Sequence, residues 1–152
     1  MDKSMTPKEE ETLLIGLENA ARDMRAAVDR SDKPNLADLP EGRKQILLVE
    51  SYAMYTSNWI SSAANPVTNS QPYISVTGRP SPSSEVTSAY IRFVDAADIA
   101  MPRYSAAAKR IQLFLDYRCM PQILTQLSHA NRYLWIGHYA GGHYYGDLHS
   151  SD

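Results

Sequence analysis

The sequence predicts an α+β fold: two N-terminal helices, then a small, mainly antiparallel sheet with one or two packed helices, ending in a β-hairpin. Three observations support this prediction. Apolar residues recur at helical spacing over residues 7–29, and a short apolar run typical of a strand covers 110–117. Over residues 133–149, two segments in which successive side chains would face opposite sides of a sheet flank a pair of glycines. A chain of 152 residues can bury a sizeable core. We expect a flexible tail over 1–5 and a single domain over 6–152.

The first helix has a strong start signal at Thr6-Pro7-Lys8-Glu9. The side chains of Thr6 and Glu9 can each accept a hydrogen bond from the other residue's backbone amide, and Pro7 stands where no amide hydrogen is needed. One narrow apolar stripe follows, and either the rest of the domain or a second copy of the chain can cover it. The stripe comprises Leu13, Leu17, Ala20, Ala21, Met24 and Val28. Residues 6–30 are therefore a candidate oligomerisation helix.

Two further segments have patterns that fit either a helix or a strand. From Pro40 to about Ser62, two neighbouring apolar stripes favour a helix, although Gln45–Met54 has the β-branched and aromatic content of a strand. Over Glu85–Met101, helical spacing and the alanines after residue 95 favour a helix, although Tyr90–Val94 alone is typical of a strand. We predict a helix in both segments.

The remaining segments give clearer signals. Tyr73–Gly78 alternates and ends at a glycine, which predicts a strand. Tyr104–Lys109 is rich in alanine and predicts a helical turn, and Arg110–Tyr117 predicts a buried strand. A helix is expected from Pro121, because proline is favoured at the first helical position.

The C-terminal segment predicts a hairpin with a three-residue loop, Ala140-Gly141-Gly142, since a glycine with positive φ usually closes a loop of this length. A two-residue loop at Gly141-Gly142 would place Ile136 opposite Asp147 and mix apolar with polar side chains, so we favour the longer loop. Alternation then separates a mainly apolar face from an aromatic and polar one. The expected pairs on the polar face are Tyr139 with His143, Gly137 with Tyr145, Trp135 with Asp147, and Tyr133 with His149.

Composition narrows the classes of function. A net charge of −2 argues against general nucleic-acid binding and against a polybasic membrane surface. The single cysteine excludes an internal disulfide and a multi-cysteine zinc site. The N-terminus has no apolar signal core, and no run of about 18 apolar residues occurs. We expect a cytoplasmic protein without a membrane partner.

The polar face of the hairpin predicts a recognition surface. Its aromatic rings have polar tips and suit contact at low entropic cost, and such rings stack on bases for about 1–3 kcal/mol per base. We predict a non-enzymatic, self-associating protein that captures a small anionic ligand, most specifically a nucleotide or nucleotide-derived signal, with arginines on the phosphates. The candidate ligand-binding residues are Tyr133, Trp135, Tyr139, His143, Tyr145, Asp147, His149, Arg118, Arg79 and Arg132. The competing interpretation is packed tyrosines and solvated arginines.

Two other functions stay open at this point. The first is a metal-assisted hydrolase that uses Asp147 and His149 with a third ligand from another element. His143 cannot share that ion with His149, because same-face positions lie about 7 Å apart along a strand, and His138 points to the opposite face. The second is a protein-interaction or inhibitor module that docks the aromatic hairpin into a partner.

No motif favours catalysis or a cofactor. Cys119 precedes a predicted helix start beside Arg118, which would lower a thiol pKa, but a lone cysteine near an apolar strand is more often a small buried hydrophobe. The sequence lacks Gly-x-Ser-x-Gly, His-Glu-x-x-His, a Walker phosphate loop and Gly-x-Gly-x-x-Gly. We therefore expect no catalytic residue, no bound metal and no cofactor.

Overall fold

Contacts divide the chain into two compact units, residues 1–34 and 35–152, and we describe each by itself. The computed structural model describes residues 4–29, 38–55, 59–60, 68–69 and 72–152. The flexible tail over residues 1–5 and the single domain over 6–152 stay predictions.

The first unit contains one helix, α1, over Pro7–Asp29. It begins as the sequence predicts: the amide of Thr6 donates to Glu9 Oε2 at 2.8 Å, and the amide of Glu9 donates to Thr6 Oγ1 at 3.2 Å. Within the described ranges, neither α1 nor any other helix is long and apolar enough to cross a bilayer.

The second unit contains nine described strands and one α-helix. Their bounds are β1 Lys44–Tyr55, β2 Trp59–Ile60, β3 Thr68–Asn69, β4 Tyr73–Pro80, β5 Ser88–Val94, β6 Arg103–Ser105, β7 Arg110–Asp116, α2 Met120–Leu127, β8 Asn131–Tyr139 and β9 His143–Ser151. Seven of the strands form a mixed sheet with the order β6-β7-β5-β4-β1-β8-β9, and β2 and β3 form a separate two-stranded sheet. Strands β5 and β7 are parallel, and all other neighbours in the seven-stranded sheet are antiparallel.

The predicted fold class is wrong, because the second N-terminal helix does not form and the sheet is large. The described part of the segment from Pro40 to Ser62 contains the interior strand β1, which pairs with β4 on one side and β8 on the other. Alternate residues of this strand face opposite sides: Leu47 and Val49 are buried in the core, whereas Ile46 and Leu48 lie on the other face. Within Glu85–Met101, the helix is likewise replaced by strand β5 and a 3₁₀ turn at Ala96–Asp98. Long-range pairing has overridden local helical spacing in both segments.

Other elements agree with the sequence. The strands predicted from Tyr73 and from Arg110 are β4 and β7, and the helix predicted at Pro121 is α2. The helical turn predicted from Tyr104 is in part the short strand β6. The hairpin has the predicted three-residue loop, with Gly141 at φ 80° and Gly142 at φ 76°.

The core lies on the inner face of the sheet, beneath α2. Leu47, Ile74 and Ile136 are fully buried there, and Ile123 and Leu127 of α2 pack into the same cluster. The sheet curls until residues at its two ends meet: a Cβ built on Gly146 of β9 would lie 2.7 Å from Leu113 Cδ2 of β7. The opposite face of β1, β8 and β9 is thereby turned outward.

Candidate functional site

The predicted hairpin register is confirmed. Tyr133 pairs with His149, Trp135 with Asp147, Gly137 with Tyr145, and Tyr139 with His143. These side chains share one face because the core takes the alternate positions Leu134, Ile136 and Leu148. Strand β1 extends the same face, since Lys44 pairs with Gly137, Ile46 with Trp135 and Leu48 with Tyr133. We call these eight hairpin residues and three β1 residues the hairpin face.

A lysine lies at the centre of the aromatic cluster. The Nζ atom of Lys44 is 5.8 Å from the ring centroid of Trp135 and 5.6 Å from that of Tyr139. The rings of Trp135 and Tyr145 are 5.1 Å apart. An ammonium close to aromatic faces gains cation–π attraction, worth about 0.5–1 kcal/mol at an exposed site. The hairpin face therefore places one positive charge beside exposed aromatic rings.

Gly137 shapes this cluster. A Cβ built on Gly137 would lie 3.0 Å from Tyr139 Cε2 and 3.2 Å from Trp135 Cζ3, so the two rings close over the bare backbone. Because Gly137 has no side chain, the rings of Tyr139 and Trp135 can lie close to its backbone. Lys44 is the residue opposite Gly137 on the neighbouring strand.

Asp147 supplies the negative group of the face. Its Oδ2 accepts a hydrogen bond from the Tyr145 hydroxyl at 3.0 Å, and this bond raises the pKa of Tyr145 above its ordinary value. Its Oδ1 is buried and has no hydrogen-bond partner among the described residues. The oxygen without a partner is therefore closed to solvent, and the carboxylate acts on the face by holding the Tyr145 hydroxyl.

The three predicted arginines occupy different environments. Arg79 pairs with Leu48, which in turn pairs with Tyr133, so Arg79 stands beside the hairpin face. Its Nε forms an ion pair with Glu50, and both side chains are largely exposed. The structure thus places Arg79 next to the predicted site, with an exposed carboxylate as its present partner.

Arg132 is on the opposite face and supports the fold. Its Nη1 donates to the carbonyl of Leu127 at 2.6 Å, at the end of α2. Its Nη2 lies 3.4 Å from the carbonyl of Val49 and 3.2 Å from that of Glu50. The β1–β4 register shifts between Val49 and Ser51, so Arg132 holds a β-bulge against α2.

Arg118 is engaged outside the hairpin. It lies in the 3₁₀ turn Tyr117–Cys119 after β7, and its Nε and Nη2 donate to the two carboxylate oxygens of Asp116 at 3.0 and 2.8 Å. These hydrogen bonds lower the pKa of Asp116 to about 2 and raise that of Arg118. The charge predicted to meet a ligand at the start of α2 is therefore balanced by a local carboxylate.

The described residues provide no metal centre. His138 lies on the inner side, where Nδ1 is 2.7 Å from the carbonyl oxygen of Leu39 and the ring stacks on Tyr144 at 4.2 Å. Asp147 and His149 share the hairpin face, but no group of three histidine, cysteine or acidic side chains suited to an ion occurs in the described ranges. The third ligand that the hydrolase alternative needs is not found there.

Cys119 has the environment of a packing residue. Its side chain is half-buried and packs against the core cluster, and the residue precedes α2 without forming a side-chain cap. The neighbouring guanidinium of Arg118 is directed to Asp116. These contacts favour the structural interpretation of this cysteine.

Lys44 is the residue that sequence reasoning missed. The sequence shows a lysine just before the apolar run of β1, and that run was assigned to a helix, which has no cross-strand partner. Only the pairing of β1 with β8 brings its ammonium to Trp135 and Tyr139. The signal that could have found it was the strand alternative over Gln45–Met54.

Comparisons with protein-family models, with curated proteins and with solved structures find no match for this chain.

Proposed function

We propose that this chain is a non-enzymatic binding protein whose hairpin face captures a small anionic ligand, with a nucleotide as the most specific form. The observation that carries the proposal is the position of Lys44, whose ammonium lies within 6 Å of two aromatic ring centroids. Tyr139 and Tyr145 are 40% and 50% exposed, so the cluster is open to a ligand. The proposal keeps the cytoplasmic location expected from the sequence.

The chemistry of the face suits a base joined to a phosphate. A planar base stacks on Trp135 or Tyr139, and Lys44 supplies the charge that the phosphate needs. Asp147 positions the Tyr145 hydroxyl, which donates to its Oδ2 at 3.0 Å, at the edge of the aromatic cluster.

Arg79 is the second cation near the face, but it stands too far from Lys44 to share one phosphate. It pairs with Leu48, and four steps along β1 from Lys44 span about 13 Å. We therefore propose that the phosphate of a mononucleotide contacts Lys44. Arg79 would be reached only by a ligand with a longer polyphosphate chain.

Titration calorimetry with AMP, adenosine and inorganic phosphate tests this proposal. AMP is expected to bind at least tenfold more tightly than either fragment, because only AMP uses the rings and the ammonium together. Trp135→Ala and Lys44→Gln should each weaken AMP binding at least tenfold. Lys109→Gln, which removes an exposed lysine outside the face, should leave the affinity unchanged. Equal affinity for AMP and phosphate, or equal effects of Lys44→Gln and Lys109→Gln, would contradict the proposal.

A docking protein is the second candidate ligand, and the curvature of the sheet favours it. The core occupies the inner face of the curled sheet, so the hairpin face is turned outward, whereas most small-molecule sites are concave. Tyrosine and tryptophan are also enriched at protein interfaces. If no nucleotide raises the melting temperature and a protein partner binds wild-type chain but not Trp135→Ala, this second function replaces the first.

Self-association is part of the proposal, through α1. Leu13, Leu14, Ile15 and Leu17 are each about half exposed on this helix, at 46%, 50%, 54% and 47%. Residues 7–18 carry one lysine and four glutamates, whereas residues 19–30 carry three arginines and two aspartates. An antiparallel pair of α1 helices would bury the leucines and set the acidic half against the basic half. Light scattering should report a dimer for wild-type chain and a monomer for Leu13→Lys/Leu17→Lys; equal masses would contradict this pairing.

A further inference from the structure

A cleft that shares Lys44 with the aromatic cluster lies beside the start of β1. Its volume is about 470 Å³, within the range of about 300–1,000 Å³ typical of small-molecule sites. One wall is the segment from Asp38 to Gln45, the other is the loop at Ser83 and Glu85, and Tyr104 of β6 also lines it. The cleft can therefore hold a molecule of amino-acid or dipeptide size.

Hydrogen bonds fix the two walls against each other. Gln45 Oε1 accepts from the amides of Glu85 and Val86 at 2.8 and 3.2 Å, and Ser84 Oγ accepts from the amide of Ile46 at 2.9 Å. The buried side chain of Leu39 anchors the first wall in the core. Because these bonds span the cleft, its shape is present before any ligand arrives, which lowers the entropic cost of binding.

Four charged side chains line this cleft, two of each sign. Asp38 and Glu85 are acidic, and Arg43 and Lys44 are basic. Within the described part of the chain, no ion pair joins any of these four. A cleft with unpaired charges of both signs can bind a positive group and a negative group of the same ligand.

The two carboxylates converge on Tyr104. Its hydroxyl donates to Glu85 Oε1 at 2.7 Å, and burial together with the negative charges of Glu85 and Asp38 raises its pKa above the ordinary value. Asp38 Oδ2 accepts from the amide of Ala106 at 3.2 Å. Each carboxylate thus uses one oxygen in the fold, and its other oxygen has no hydrogen bond within the described ranges.

We propose that this cleft binds a small zwitterion, namely an amino acid or a molecule with an ammonium and a carboxylate a few bonds apart. The ammonium lies between Asp38 and Glu85, and the carboxylate meets the guanidinium of Arg43, which can hold it by two parallel hydrogen bonds. The proposal is independent of nucleotide binding at the hairpin face. Lys44 belongs to both sites, so the test uses Arg43 and Glu85 instead.

NMR titration with a series of ω-amino acids tests the cleft. The probes are glycine, β-alanine, 4-aminobutyrate and 6-aminohexanoate, which differ only in the distance between their charges. We expect saturable shifts at the amides of Arg43, Glu85 and Tyr104, with one chain length at least tenfold tighter than the weakest. Butylamine and butyrate, each lacking one charge, should bind at least tenfold more weakly than the best probe.

Three variants separate the cleft from nonspecific charge effects. Arg43→Gln and Glu85→Gln should each weaken the best probe at least tenfold, while Glu41→Gln, an exposed acid of the same segment that does not line the cleft, should have no effect. Equal affinity of butylamine, butyrate and every ω-amino acid for wild-type chain would overturn the proposal, and this comparison needs no variant. Equal behaviour of all three variants would overturn it too. Trp135→Ala should leave the titration unchanged, so failure here is distinguishable from failure at the hairpin face.

Discussion

At the scale of single residues, a charged side chain can bind a ligand readily only if it is not already paired with another group of the protein. Arg118 is held by both oxygens of Asp116, and Arg132 by backbone carbonyls of α2 and β1. The ammonium of Lys44 lies near two aromatic rings and forms no ion pair with the residues that the structure describes. Composition cannot distinguish these cases, because all three residues are simply cations in the sequence. The distinction depends on which acceptors the folded chain brings within hydrogen-bond distance.

The Asp116–Arg118 pair gives a prediction for acid stability. The pKa of Asp116 is lowered from about 4 to about 2, so its ionised form stabilises the folded state fully above about pH 4. That contribution should be lost as the pH falls from about 4 through about 2. Urea unfolding of wild type and Asp116→Asn should therefore show a stability difference at pH 7 that shrinks below about pH 4 and is largely lost near pH 2. A difference that is constant from pH 7 to pH 2 would contradict the assignment.

At the scale of elements, the hairpin and the strands β4 and β7 were predictable from local patterns, whereas β1 and β5 were not. The hairpin was predictable to the residue pair, because β8 and β9 are adjacent in sequence and Gly141 and Gly142 determine the loop. Strand β1 was not, because its partners β4 and β8 begin about 30 and 90 residues later and the apolar residues of both its faces together also fit helical spacing. The aromatic residues of the candidate site could therefore be predicted from the hairpin. Its cation, Lys44, could not, because its position depends on the pairing of β1 with β8.

Arg132 is the residue expected to hold three of these elements together. Arg132→Met removes the hydrogen bonds to Leu127, Val49 and Glu50 and leaves their carbonyls to find other donors. We expect a loss of about 1–3 kcal/mol in the free energy of unfolding. Arg79→Met, which removes a largely exposed ion pair, should cost no more than about 1 kcal/mol. Urea unfolding of both variants measures the comparison, and equal losses would show that Arg132 has no special structural role.

At the scale of the whole second unit, curling of the sheet decides which surface is available. Contact between Gly146 of β9 and Leu113 of β7 brings the two ends of the sheet together around the core. The hairpin face is consequently on the outside, and the charged cleft opens where β1 begins. The sequence could not predict this arrangement, because no local pattern encodes how far a seven-stranded sheet curls.

Closure of the sheet at Gly146 is testable by adding one methyl group. Its φ is outside the left-handed region, so alanine is allowed by the backbone, but its Cβ would lie 2.7 Å from Leu113 Cδ2 and 3.0 Å from Pro102 Cβ. Gly146→Ala should lower the free energy of unfolding by about 1–3 kcal/mol through overpacking. Gly16→Ala, where nothing lies within 4 Å of the added methyl, should be neutral or stabilising by up to about 1 kcal/mol. A neutral Gly146→Ala would contradict the contact between the sheet ends.

The central claim is that the hairpin face, with Lys44 among its rings, is where a nucleotide-sized anion binds. The most direct measurement is an NMR titration of isotopically labelled chain with AMP. Saturable shifts should map to Lys44, Trp135, Tyr139 and Tyr145, and the indole resonance of Trp135 should move upfield as the base stacks on it. No saturable shift, or shifts confined to α1 or to the charged cleft, would contradict the claim.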